Sequence, residues 1–203
     1  MISIQHHDWA KALRLIDKLP NDTGDADMSR AIVFSDKDFA GYDVDKAMHY
    51  YRASAAAGNC YAGATVAFLY ANYDQLKFRN IEAANAYAKK SITCLADKAG
   101  KNDSKAQFDL GEFYMMGLGV VKNYRVALRF YEEAGHLGNA DAIDALAYMY
   151  ANGIGVTQSL GQAIIYQKHL VALNVSGSKE RLQLLERYYE QTEKSKGILS
   201  RGH

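Results

Sequence analysis

The sequence predicts an all-α chain, a right-handed α-α superhelix (solenoid) of four helix-turn-helix repeats with a capping helix at each end. Three observations carry that expectation. The 203 residues include a single proline, Pro20, whereas an all-β chain of this length needs many proline-marked turns. A hydrophobic share of 49% against 23% charged residues supports a buried core. A segment of the chain also recurs at a fixed spacing, and such a period decides the architecture before any single motif does.

Taken in chain order, residues 1–25 read as an N-terminal capping helix and turn. DWAKALRLIDKL is amphipathic and is stopped by Pro20 and the NDTG turn. Residues 26–173 hold the repeats. AQFDLGEFYMMGLGV, from Ala106, and AIDALAYMYANGIGV, from Ala142, are the same pattern 36 residues apart. The offset holds for Tyr114 and Tyr150, Gly117 and Gly153, Gly119 and Gly155, and Ala127 and Ala163. Toward the N-terminus, Ala26 and Ala62, Phe34 and Tyr70, Ala47 and Ala83, and Tyr51 and Tyr87 keep the same spacing of 36. From Ala62 to Ala106 the spacing is 44, and so it is from Tyr87 to Tyr131. The additional residues therefore follow Tyr87, and we assign them to LADKAGKN, residues 95–102, as an extension of a helix or of its exit loop. Repeats start near 26, 62, 106 and 142. Each unit places apolar residues on one helical face, breaks at GLGV or GIGV, and resumes with a second face such as Ala127, Phe130, Tyr131 and Ala134. One such hairpin cannot bury its apolar face alone, whereas stacked neighbours can. Residues 174–203 read as a C-terminal capping helix, SKERLQLLERYYEQTEK, with its charges toward water and a frayed tail, KSKGILSRGH.

The pattern A-x-x-x-L-G-x-x-Y-x-x-G-x-G-V followed by A-x-x-x-Y-x-x-A resembles the Sel1-like repeat, a relative of the tetratricopeptide repeat. The third unit carries it at Ala106, Leu110, Gly111, Tyr114, Gly117, Gly119, Val120, Ala127, Phe130, Tyr131 and Ala134. The fourth departs at Ala147, which stands in the glycine position. The first has Arg30 where leucine is usual, and the second has Tyr73 in place of the first loop glycine.

The resemblance implies a protein-binding module that engages its partner on a concave face lined by the first helix of each repeat. Four rings of positions fall there in register. They are Asp25, Tyr61, Lys105 and Asp141; Met28, Ala64, Phe108 and Asp144; Ile32, Phe68, Glu112 and Tyr148; and Asp36, Asn72, Met116 and Asn152. From these we take Tyr61, Phe68, Asn72, Lys105, Phe108, Glu112, Met116, Asp141, Asp144, Tyr148 and Asn152 as candidate contact residues. Phe68, Phe108, Met116 and Tyr148 are the apolar anchors among them, set among carboxylates and amides. The family's habits suggest a bacterial immunity protein that neutralises a toxin, or alternatively an adaptor bridging members of a complex.

Other chemistries find little support. A net charge of +1, and rings rich in Asp and Glu, disfavour nucleic acid as a partner. GLGV and GIGV lack the lysine or preceding strand of a phosphate loop and read as turns. His6, His7 and Asp8 are adjacent residues without a third ligand in register, and His49, His136 and His169 share no partner. We therefore expect no metal, no cofactor and no catalytic set. No apolar run reaches membrane-spanning length. Cys60 and Cys94 have no metal-ligand spacing and read by default as free thiols, with one disulfide as the alternative. Free thiols and the lack of a signal-peptide pattern make the cytoplasm the expected compartment.

Overall fold

A computed structural model describes residues 9–72 and 79–200. Among these residues all regular structure is helical, in the order α1 (Trp9–Ile16), α2 (Asp25–Ser35), α3 (Val44–Ala56), α4 (Cys60–Asn72), α5 (Ile81–Gly100), α6 (Ser104–Met116), α7 (Tyr124–His136), α8 (Ala140–Asn152), α9 (Leu160–Ala172) and α10 (Ser178–Ser200). The segment with His6, His7 and Asp8, and Tyr73, lie outside the described residues.

The helix boundaries are written in short polar residues. Every helix from α3 to α9 begins on an Asp, Asn or Ser whose side-chain oxygen accepts a backbone N–H of the first turn. These are Asp43, Asn59, Asn80, Asp103, Asn123, Asn139 and Ser159. Each satisfies a donor that the helix itself leaves open, worth about 1 kcal/mol. The second helices end on a residue of positive φ: Gly58, Asn102, Gly138 and Asn174. Those four positions are separated by 44, 36 and 36 residues, so the one long step already falls between the ends of the first and second repeats. Asn102 shows where the surplus of the second repeat goes. α5 has 20 residues where α3, α7 and α9 have 13 each, so residues 95–102 are mostly added helix rather than loop.

The chain divides into two compact units. The first comprises residues up to Leu95 together with Leu118–Val120. Here α2 packs on α1 and α3, and α3 on α4. Ile16, Ala26 and Val33 form one cluster, flanked by Trp9, Leu13 and Phe39, while Ala31, Ala47, Met48, Tyr51 and Val66 form another. Arg30 occupies its leucine position by finding two acids: it donates to Asp27 at 2.8 Å and to Asp17 at 3.0 Å. Gly119 belongs to this unit, with its N–H donating to Asn85 Oδ1 at 2.8 Å.

Cys60 and Cys94 form a disulfide with Cα atoms 6.0 Å apart, which corrects the free-thiol expectation. Cys60 opens α4 and Cys94 lies late in α5. The equivalents of Cys94 in the other repeats are the positive-φ residues Gly58, Gly138 and Asn174, where the helix has already stopped. Lengthening α5 keeps this position helical, with a side chain that reaches Cys60.

The second unit comprises Ala96–Gly117 and the residues from Val121 on. In it α6 packs on α7, α7 on α8, α8 on α9, and α9 on α10. Its core gathers Ala127, Tyr131, Ala134, Ala142, Leu146 and Met149. The alanines let helices approach, and aromatic pairs fill the space beside them. Tyr114 stacks on Phe130 with centroids 5.8 Å apart, and Tyr150 on Tyr166 at 5.6 Å. In the first unit Phe34 stacks on Tyr50 in the same way at 5.7 Å. The second repeat has Ala86 at that position, and Tyr70 instead meets Tyr87 at 6.0 Å. α10 runs without a break to Ser200, past Lys194 where the sequence led us to expect fraying.

Candidate protein-binding cleft

In the second unit α6 and α8 present matching faces over α7. On α6, Phe108 and Glu112 lie one turn apart. On α8, Asp141, Asp144, Ala145, Tyr148 and Met149 follow the spacing of one helical face. Together with Met115 and Tyr131 these residues line a cleft of about 480 Å³. Asn139 holds the near ends of the two helices together, its Nδ2 donating to the Ser104 carbonyl at 3.3 Å.

The floor is set by Tyr131. Its hydroxyl donates to Glu112 Oε1 at 2.6 Å, and its ring lies 5.8 Å from that of Phe108, centroid to centroid. Gly111 makes this possible: a Cβ there would lie 2.5 Å from Tyr131 Cε1. Burial pushes the Glu112 carboxyl above its ordinary range and the field of Asp141 adds to this, while the Tyr131 hydrogen bond works against it. Burial also raises the Tyr131 phenol, and the adjacent Glu112 charge adds to that.

A second cleft, of about 410 Å³, adjoins along α8. Asp144, Ala147, Tyr148 and Ala151 form one wall, Gln167 the base, and Arg181, Leu184, Leu185 and Tyr188 of α10 the other wall. Gln167 Nε2 donates to Asp144 Oδ1 at 3.0 Å, and Arg181 reaches the same carboxylate at 3.4 Å. Besides its charges, α10 turns apolar side chains outward here: Leu184 is 60% exposed and Tyr188 55%. Tyr148, 57% exposed, is shared by both clefts.

Of the eleven candidate contact residues, the structure brings together Phe108, Glu112, Asp141, Asp144 and Tyr148. Asn152 stays on the α8 surface and donates to the Tyr148 carbonyl at 2.8 Å. Lys105 turns instead to Asp109, 3.0 Å from both carboxylate oxygens. Met116 is half-buried near the end of α6. Tyr61 and Phe68 are half-buried on α4 of the first unit, and the Asn72 side chain is outside the described residues. Of the flanking ring positions, Ala64 is buried in the first unit and offers no surface. Sequence reasoning missed Met115, Tyr131, Ala145 and Met149 in the first cleft, and the whole α10 wall of the second. The interval from Asp141 through Ala145 and Tyr148 to Met149 was the available signal. The sequence pattern places Tyr131 on the apolar face of the second helix, which by itself does not point to the cleft.

Among the described residues no group of three or more His, Cys, Asp or Glu side chains is arranged to hold a metal. No described helix is long and apolar enough to cross a membrane.

A family model described as the Sel1 repeat matches residues 38–59, 104–139 and 140–166, which take in α3, α6, α7, α8 and much of α9. The chain carries Sel1 repeats. The cleft falls wholly within the two consecutive Sel1 matches, on the first helix of each and the second helix between them. The helices of the second repeat, α4 and the enlarged α5, fall outside the matched segments. Among solved structures, a Sel1 repeat protein from Oxalobacter formigenes is similar at 26% identity, over 67% of this chain and 96% of that one, with a TM-score of 0.42. The c5321 protein, a protective antigen present in uropathogenic Escherichia coli strains and displaying an SLR fold, is similar at 21% identity. That match spans 87% of this chain and 44% of that one, with a TM-score of 0.47. No curated protein matches the sequence.

Proposed function

We propose that this Sel1-repeat chain binds another protein through the α6–α8 face of its second unit and performs no catalysis of its own. The observation that carries this reading is Tyr148. A tyrosine 57% exposed between two adjoining clefts is an unsatisfied apolar anchor of the kind that dominates interface energetics. Because both clefts share Asp144 and Tyr148 they form one continuous surface, which favours one partner over a bridge between two. The test is affinity capture on the intact chain beside Tyr148→Ala. One stoichiometric partner lost in the variant supports the reading. A partner retained at equal yield by the variant argues against this face.

The narrower form of the proposal is an immunity role, in which the module covers the working surface of a toxin. Co-expression with the captured partner then rescues growth if that partner is toxic, and unrelieved killing by a folded chain ends the idea. The Cys60–Cys94 disulfide supports an oxidising compartment in place of the cytoplasm that free thiols implied. The rescue experiment is therefore run with the chain directed to each compartment in turn.

A further inference from the structure

We infer that the α6–α8 cleft takes a cationic side chain, a lysine or arginine of the partner, with the adjoining α10 cleft receiving the apolar residue beside it. This rests on the protein-binding reading and specifies the chemistry of the partner's contacting segment.

The first argument is charge. Glu112, Asp141 and Asp144 line the α6–α8 cleft, and no basic residue lines it. Among the described residues neither Glu112 nor Asp141 forms an ion pair. The Glu112 carboxylate has the Tyr131 hydroxyl as its donor, and Asp144 has Gln167 and Arg181. In the same unit the buried Asp109, 1% exposed, is by contrast paired with Lys105. Glu112 thus leaves a half-buried carboxylate without a cation, with the exposed Asp141 beside it in the lining, an arrangement that a guest cation relieves.

The second argument is the lining. Phe108, Tyr131 and Tyr148 surround those carboxylates, and an ammonium or guanidinium is attracted to aromatic faces as well as to anions. The methylene stem of a lysine or arginine matches the apolar remainder, Met115, Ala145 and Met149.

The third argument is independent of charge. Gln167 is only 6% exposed, it lines the adjoining cleft, and its Oε1 has no hydrogen-bond donor. Its Nε2 is held by Asp144, so the amide cannot turn to satisfy the oxygen without setting that oxygen against a carboxylate. That oxygen has no accessible surface as it stands, but Gln167 lines the cleft, so a small shift of its side chain brings the acceptor to a guest donor, and a backbone N–H of an extended segment supplies one. Leu184, Leu185 and Tyr188 then cover the apolar neighbour.

The experiment selects a randomised 12-residue peptide display library against the intact, oxidised chain, and measures the enriched peptides by fluorescence polarisation. The expected result is enrichment of peptides carrying lysine or arginine next to an aliphatic or aromatic residue. Their affinity should fall about tenfold or more in Glu112→Gln/Asp141→Asn, a variant that keeps the acceptor for Tyr131. Replacing the basic residue by glutamine in the peptide should cost as much against the wild type and little further against the variant. Enrichment of neutral or acidic peptides that still lose binding to Tyr148→Ala would overturn the cationic specificity and leave the protein-binding reading standing. Absence of enrichment, or binding indifferent to Tyr148→Ala, would overturn both.

Discussion

Tyr131 reaches Glu112 across the bare backbone of Gly111: the hydroxyl donates to Oε1 at 2.6 Å, and the ring occupies the volume a Gly111 side chain would take. The next repeat makes the opposite choice at both positions, with Ala147 for the glycine and Gln167 for the tyrosine. Gly111→Ala is therefore expected to destabilise the chain by about 1–3 kcal/mol through overpacking, even though alanine is the better helix former. Gly111→Ala/Tyr131→Gln copies the neighbouring pair and should recover a measurable part of that loss. Urea denaturation of both variants checks the coupling, and equal midpoints would show that the clash is relieved elsewhere.

The disulfide gives a second prediction. It closes a loop with a sequence separation of 34. Chain-entropy reasoning puts its contribution at about 3–4 kcal/mol. Thiol titration of the native chain should find no free thiol. Dithiothreitol, or Cys60→Ala/Cys94→Ala, should lower the Tm by many degrees. An unchanged Tm on reduction would show that the α4–α5 pairing holds without the bridge.

Asp109 sets a pH dependence. It is buried, and its carboxyl is pushed up from 3.8 to about 6, chiefly by desolvation, with Lys105 opposing the shift. A carboxyl raised on folding binds its proton more tightly in the native state. Its contribution is thus fully present below about pH 4 and is lost as pH rises through about 6. Relative to Asp109→Asn, the wild type should lose stability between those values and stay lower above them. Melting curves of the pair at half-unit steps read this directly, and parallel curves would place the carboxylate in a better-solvated setting.

The two glycines Gly155 and Gly138 both have positive φ but differ in surroundings. A Cβ on Gly155 would lie 2.6 Å from Tyr124 Cβ, whereas one on Gly138 would meet nothing within 4 Å. Gly138→Ala should cost about 1–2 kcal/mol from backbone strain alone. Gly155→Ala should cost more, because the loop must also lift from α7. Comparing the two by thermal unfolding separates strain from contact.

The period of 36 residues, its single lengthening to 44, the glycine breaks and the all-helical class were all determined by the sequence, because each is a local property. Helix faces come from spacing, helix starts from Asp, Asn and Ser, and helix ends from glycine or asparagine in the left-handed region. That Phe108, Glu112, Asp141, Asp144 and Tyr148 share one face was legible for the same reason, since register sets them there, whereas Lys105, Met116 and Asn152 of the same rings do not line the cleft. Tertiary structure decided the rest. The pairing of Cys60 with Cys94 depends on α5 staying helical through a position where the other repeats turn. The cleft depends on Tyr131 passing over Gly111 to meet Glu112, and the second cleft on where α10 lies against α9. None of these contacts is between neighbours in sequence, and each is settled by which side chains the packed helices leave room for.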